Sequence, residues 1–469
     1  MQNKCLIFWI NYIFNVTLHL EMKYNTYTLD NGLRIIHLPS DSQVVYCGYQ
    51  INAGTRNEEP GEEGLAHFCE HVTFKGTERR KAWHILNCLE SVGGDLNAYT
   101  NKEGTVYYSA ILKEHIARAV DLLSDIVFHS VYPQAEIDKE VEVICDEIES
   151  YNDSPAELIY DEFENILFKD SPLGHNILGT AEQVRAFKTE DALRFTQKLY
   201  RPDNAIFFAY GDIDFKKLVK LIQKALGECP KGRELTCSAD CKSAETPTEE
   251  RIAEETPTGE TPTEEMEAGN ANHKVQSSKF NVQSKVAGQT IAMQKNTHQA
   301  HVMIGTRAYD VNDDRRMPLY LLNNMLGGPG MNAKLNLALR EHNGLVYTVE
   351  STMVAYGDTG TWSIYFGCDE HDVKRCLRLV RKELDKFMQK PLSDAQLKAA
   401  KKQIKGQIGV ACDNRENFAL DFGKSFLHYG WEKNVDRLYE QVDEITAAQI
   451  QAVAQELFDK DRLTTLIFK

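Results

Sequence analysis

His67, Glu70 and His71 fall within one proline-free run, Gly64-Leu-Ala-His-Phe-Cys-Glu-His-Val-Thr-Phe-Lys-Gly-Thr77. On a helix, His67 and His71 stand one turn apart on a single face, with Glu70 beside them at i+3. Two imidazoles at that spacing suit a divalent zinc ion. A carboxylate that does not crowd the metal is placed to take a proton from a water held there. Helices also carry such histidine pairs for solvation or packing alone, so the chemistry requires a third ligand from elsewhere in the chain.

The run from Pro133 to Tyr151 supplies candidates. Ile137, Val141, Ile144 and Ile148 recur at helical spacing, and Glu140 and Glu147, seven residues apart, share a face two turns apart. Acidic residues on helices are usually solvated. Spacing alone leaves both readings of these glutamates open.

Taken in order, these residues resemble the pitrilysin/insulinase family of zinc peptidases, whose motif reads HxxEH rather than HExxH. The resemblance is to its branch of half-length subunits, which includes mitochondrial processing peptidase and bacterial relatives. It extends over most of Met22 to Lys469 apart from an internal insert. The family's third ligand stands 76 residues after the second histidine, and position 147 is Glu. The resemblance therefore implies one Zn2+ per chain held by His67, His71 and Glu147, with Glu70 as general base. Glu140 matches a second family glutamate that supports the site, as carboxylates behind ligand histidines do.

Gly93-Gly-Asp-Leu-Asn-Ala-Tyr-Thr100 matches the family's GGxxNAxT edge strand. There a peptide adds as a further strand, with Asn97 and Ala98 holding its backbone. Gly327-Gly-Pro-Gly-Met-Asn332, Arg340 and Gly344-Leu-Val-Tyr347 match the residues by which the second half reaches substrate. A guanidinium and a phenol both donate to a peptide carbonyl and steady charge that develops on it. The family loop reads GGGMSS; here Pro329 stiffens it and removes one backbone donor. The activity implied is that of a zinc metalloendopeptidase cutting unfolded or short peptides, in a homodimer or a heterodimer with a homologous subunit. The alternative is a non-catalytic or partner-dependent structural subunit. Such members have typically lost ligands or the base, whereas His67, Glu70, His71 and Glu147 are all kept here.

Composition sets outer limits. At 469 residues the chain is too long for one core, and two to four domains are expected on length. A net charge of −16 argues against nucleic acid as a partner. The 11 cysteines lack paired spacing and are odd in number, which fits a reducing, cytoplasmic compartment. Cys237 and Cys241 are the one close pair. Cys69, inside the motif, reads as a small buried apolar residue. An apolar run from Cys5 to Val16, broken by Asn11 and Asn15, is too short to span a bilayer. No membrane association is expected. Residues 1–21 read as an extension ahead of a start at Met22, with a weak signal or anchor as the alternative.

The elements that must position these groups begin at Tyr24, with strands to Leu29 and from Leu33 to Leu38 about an Asn31-Gly32 turn. Strands are expected at Val44–Ala53, Asp95–Thr100, Thr105–Leu112 and Ala205–Tyr210. Helices follow at the motif, Ala82–Val92, Pro133–Tyr151 and Lys216–Leu226. Three copies of a Glu-Thr-Pro-Thr hexapeptide between Glu245 and Glu265 mark an acidic low-complexity linker over 231–285. The order then begins again, with strands at Gln299–Arg307, Tyr347–Met353, Thr361–Gly367 and Leu463–Phe468, and helices at Arg316–Leu326, Asp369–Met388 and Asp394–Val410. The fold class expected is α+β. A zinc-binding half (22–230) and a metal-free half (286–469) each carry a mostly antiparallel sheet with helices on it, and they face each other across a cavity.

Overall fold

The computed structural model describes residues 23–227, 288–295 and 297–469. The N-terminal extension, the Cys237/Cys241 pair and the acidic repeats lie outside the described residues. The first half runs β1 (Asn25–Thr28), β2 (Arg34–Pro39), β3 (Val44–Ile51), α1 (Leu65–Val72), α2 (Ala82–Glu90), β4 (Asn97–Thr100), β5 (Thr105–Leu112), α3 (Ile116–Phe128), α4 (Gln134–Asn152), α5 (Pro155–Leu167), α6 (Ala181–Ala186), α7 (Thr189–Leu199), β6 (Ala205–Gly211) and α8 (Phe215–Leu226). The second runs β7 (Thr290–Met293), β8 (Ala300–Ala308), α9 (Arg316–Gly327), a π-helical turn at Asn336–Glu341, β9 (Val346–Ala355), β10 (Gly360–Cys368), α10 (Val373–Gln389), α11 (Asp394–Cys412), α12 (Arg415–Tyr429), α13 (Val435–Glu444), α14 (Ala447–Leu457) and β11 (Thr464–Phe468).

The repeat expected from element order is also a repeat of topology. The sheets are ordered β1-β2-β6-β3-β5-β4 and β7-β11-β8-β10-β9. Setting β1 aside, each position of the first sheet has a counterpart in the second. Each sheet has one parallel pair, β2 with β6 and β7 with β11, and is otherwise antiparallel. β4 and β9, the strands that carry Asn97 and Tyr347, are therefore corresponding sheet edges.

Strand composition reports burial on both faces. Along β6, Ala205, Phe207 and Ala209 enter the core of the first half, while Ile206 and Phe208 enter a separate cluster on the opposite face. That is why the stretch reads as a continuous apolar run rather than an alternation. The opposite face is covered from outside the half: α12 sends Phe418, Ala419 and Phe422 onto the first sheet. α5 makes the reciprocal crossing, placing Leu158, Ile159, Phe163 and Leu167 against Met303, Tyr365, Leu466 and Phe468 of the second sheet. Hydrogen bonds fix both crossings. Arg34 donates to the carbonyls of Phe426 and Leu427 at 2.9 Å each, and Arg307 donates to the carbonyl of Leu167 at 2.6 Å.

These crossings set the relation between the halves. A cavity of about 280 Å³ lies between them, lined by Lys102, Asp161, Met303 and Tyr356 among others. A cleft of about 790 Å³ is lined by residues 320–438, all of the second half. Within one chain the halves are thus joined by direct packing over much of their contact. Among the described residues no helix is long and apolar enough to cross a membrane.

Phe422 is fully buried where α12 meets the first sheet. Phe422→Ala is expected to lower stability by about 3–5 kcal/mol. Denaturant unfolding of the two chains measures it, and a loss below about 1 kcal/mol would mean that α12 does not hold the halves together.

Candidate functional site

Helix α1 carries the motif as the spacing requires. Leu65, Ala66, Phe68, Cys69 and Val72 are buried in the core of the first half, which turns His67, Glu70 and His71 toward α4 and β4. Cys69 is one of those buried apolar contacts, and burial raises its thiol well above the usual range. On α4, Ile137, Val141, Ile144 and Ile148 are buried and hold the helix against the same core. Glu140 and Glu147 both project toward α1, and they meet different atoms.

Glu147 Oε2 lies 3.2 Å from His71 Nε2 and 3.8 Å from His67 Nε2. The atoms of His67, His71 and Glu147 that could ligate a metal all lie within 4.8 Å of one another. Four ligands of a tetrahedral ion bonded at about 2.0–2.1 Å stand roughly 3.3 Å apart, so the donor set fits zinc in kind and spacing. Glu140 takes the other side of the ring: His71 Nδ1 is 3.1 Å from its Oε1, and Lys75 Nζ pairs with its Oε2. That contact assigns the Nδ1 proton and leaves Nε2 to face Glu147 and His67. His67 Nδ1 is buried with no hydrogen-bond partner.

The electrostatics follow from this crowding. Burial, with the charge of His71 adding to it, drives the His67 imidazole below its ordinary range. Burial acts to lower His71 too, but hydrogen bonds to Glu140 and Glu147 and the charge of Glu70 outweigh it and lift the ring to about 9. Burial raises the Glu70 carboxyl, opposed by a hydrogen bond from Thr100. Thr100 Oγ1 donates to Glu70 Oε2 at 2.7 Å. Edge strand β4, which ends in Thr100, thus aims the carboxylate of α1.

Asn97 is exposed and Ala98 half-buried at the start of β4, which pairs only with β5 in its sheet. Arg340 and Tyr347 are brought together elsewhere. The guanidinium, on the π-helical turn, lies 5.7 Å from the Tyr347 ring centre, and Tyr347 is 82% exposed. Both line the second-half cleft with the Gly327–Met331 loop, and no residue of the His67, His71 and Glu147 cluster lines it. Thr100 and Lys75 escaped sequence reasoning as site residues. Each stands inside a motif already singled out, but nothing in spacing says which carboxylate it meets.

Known proteins share both sequence and fold with this chain. Residues 35–181 match the model of the insulinase family, peptidase family M16, and residues 186–404 match that of the peptidase M16 inactive domain. The chain is 30% identical to the mitochondrial-processing peptidase subunit beta of Saccharomyces cerevisiae, covering 91% of this chain and 86% of that one. It is 29% identical to the Bacillus subtilis uncharacterized zinc protease YmxG, covering 94% and 97%. Among solved structures, a Helicobacter pylori protease superposes with a TM-score of 0.79 at 20% identity over 96% of this chain and all of that one. A peptidase M16 inactive domain from Pseudomonas fluorescens superposes with a TM-score of 0.78 at 16% identity, covering 95% and 98%. Both structures speak for the fold alone. With a yeast relative at that identity along most of both chains, and two M16 models side by side on one sequence, the chain belongs to the insulinase family, peptidase family M16.

Proposed function

We propose that this chain is a zinc-dependent endopeptidase that hydrolyses peptide bonds in unfolded or short peptides. The observation that carries the reading is the convergence of His67, His71 and Glu147 within 4.8 Å, with Glu70 on the same helix face and outside that set. A zinc ion held there supplies Lewis acidity and brings the pKa of water toward neutrality. The remaining work falls to the chain. Glu70, raised by burial and steered by Thr100, takes the proton of the attacking water and returns it to the leaving amine. Glu140 fixes the tautomer of His71, and Lys75 neutralises the far side of Glu140. The substrate adds to the open edge of β4, with Asn97 and Ala98 fixing its register.

Arg340 and Tyr347 donate to the peptide beside the scissile bond. In the cleft they occupy they stand apart from the metal cluster of their own chain. They therefore serve the site of a second copy, in a dimer where each second half faces the partner's β4.

Purified Glu70→Gln is expected to keep about one zinc per chain and to lose about 10²–10⁴-fold in cleavage of a quenched fluorescent peptide. Undiminished cleavage, or absence of zinc from the unaltered chain, would overturn the reading. Equal mixtures of Glu70→Gln with Arg340→Ala chains, each inactive alone, test the dimer. Exchange of subunits is expected to restore about a quarter of full activity, since one site of each mixed dimer holds intact residues. A mixture as inactive as its components would place Arg340 in service of its own chain.

A further inference from the structure

The first turn of α1 is held by a carboxylate from outside the helix. Glu58 lies in the loop before α1, with a side chain 1% exposed. Its Oε1 accepts from the backbone N–H of Ala66 at 2.7 Å, and its Oε2 accepts from that of Gly64 at 3.1 Å. Gly64, the N-cap residue, offers no side-chain cap, so Glu58 satisfies N–H groups that helix geometry leaves without partners. Its charge also lies at the positive end of the helix. The same Oε2 is 2.9 Å from His175 Nε2, in the connection between α5 and α6.

That connection is pressed onto the helix start by backbone contact. Gly64 has φ of 94°, and a Cβ there would stand 2.6 Å from the carbonyl oxygen of Leu178. A Cβ on Gly179 would stand 2.2 Å from the carbonyl oxygen of Glu63. His175 is tied onward as well: its carbonyl accepts from the buried ammonium of Lys102. Lys102 faces the carboxylates of Asp161 and Glu164 on α5, and Glu164 accepts from Tyr356 of the second half at 2.9 Å. A line of buried and half-buried polar contacts thus runs from the end of β9 to the first turn of the helix bearing His67.

The geometry assigns Glu58 and His175 as positioning residues of the metal centre. The carboxylate clamps the first turn of α1, and the imidazole fastens that clamp to the segment Lys102 joins to α5. The role at the metal rests on the proposed function; the clamp itself does not. Two measurements on the full chain separate them. The first is hydrogen exchange of backbone amides over 62–68 in metal-free protein, followed by mass spectrometry. The second is zinc affinity by competition with a chromogenic chelator.

His175→Ala and Glu58→Gln are expected to speed exchange at Gly64 and Ala66 by about tenfold and to weaken zinc by about tenfold. His175→Gln keeps a donor toward Glu58 and is expected to return both to within about twofold of the unaltered chain. Unchanged exchange and unchanged zinc affinity in both His175→Ala and Glu58→Gln would overturn the clamp while leaving the peptidase reading intact. Faster exchange without zinc binding by the unaltered chain would uphold the clamp and overturn the reading of the metal centre. Faster exchange with zinc affinity unchanged would overturn the positioning role.

Discussion

Two imidazoles and three carboxylates converge between α1, α4 and β4, in a place the core makes half-buried. Such a set of lone pairs repels itself unless something positive stands among them. In the chain alone, a proton on His71 fills that need, which is why its pKa rises to about 9 between Glu140 and Glu147. Lys75 does the same for the outer oxygen of Glu140. The protein bears this cost by packing the apolar faces of α1 and α4 against one core, so neither helix can turn its charged face away. A divalent ion held there would relieve the same crowding, and under the proposed function it would leave Glu70, hydrogen-bonded to Thr100, to act as the base.

The fold serves that constraint twice over. Within the first half, both faces of the sheet are buried, one by its own helices and one by α12. The reciprocal crossing of α5 brings Asp161, Glu164 and Tyr356 to Lys102, and so to the loop holding the start of α1. Under the proposed function, one half of this repeated topology carries the chemistry and the other carries reach. β4 and β9 are corresponding edges, yet β4 lies beside the histidines of α1, whereas β9 carries an exposed tyrosine near its start, beside Arg340.

Much of this is legible in the sequence, for reasons that differ by element. The motif helix and α4 announce themselves because apolar period and functional spacing coincide. The repeat of strand order across the acidic insert gives two halves, and the two sheets share one topology. The choice between Glu140 and Glu147 is not legible from period, since both lie on one face. It depends on a difference in distance along the partner helix, where Glu147 meets His71 Nε2 and Glu140 meets Nδ1. The crossings of α5 and α12 are hidden for a related reason: an amphipathic helix shows that it has a partner and not which sheet the partner is. The placement of Arg340 and Tyr347 in a cleft of their own is equally invisible, because sequence order puts them in the same chain as the histidines.

The claim on which the rest depends is that His67, His71 and Glu147 together hold zinc. X-ray absorption at the zinc edge, on the purified chain and on Glu147→Ala, addresses it directly. The account predicts nitrogen and oxygen scatterers alone at about 2.0–2.1 Å, the outer-shell pattern of two imidazoles, and loss of one oxygen in the variant with both imidazoles kept. A sulfur scatterer at about 2.3 Å, or a spectrum that Glu147→Ala leaves unchanged, would contradict it.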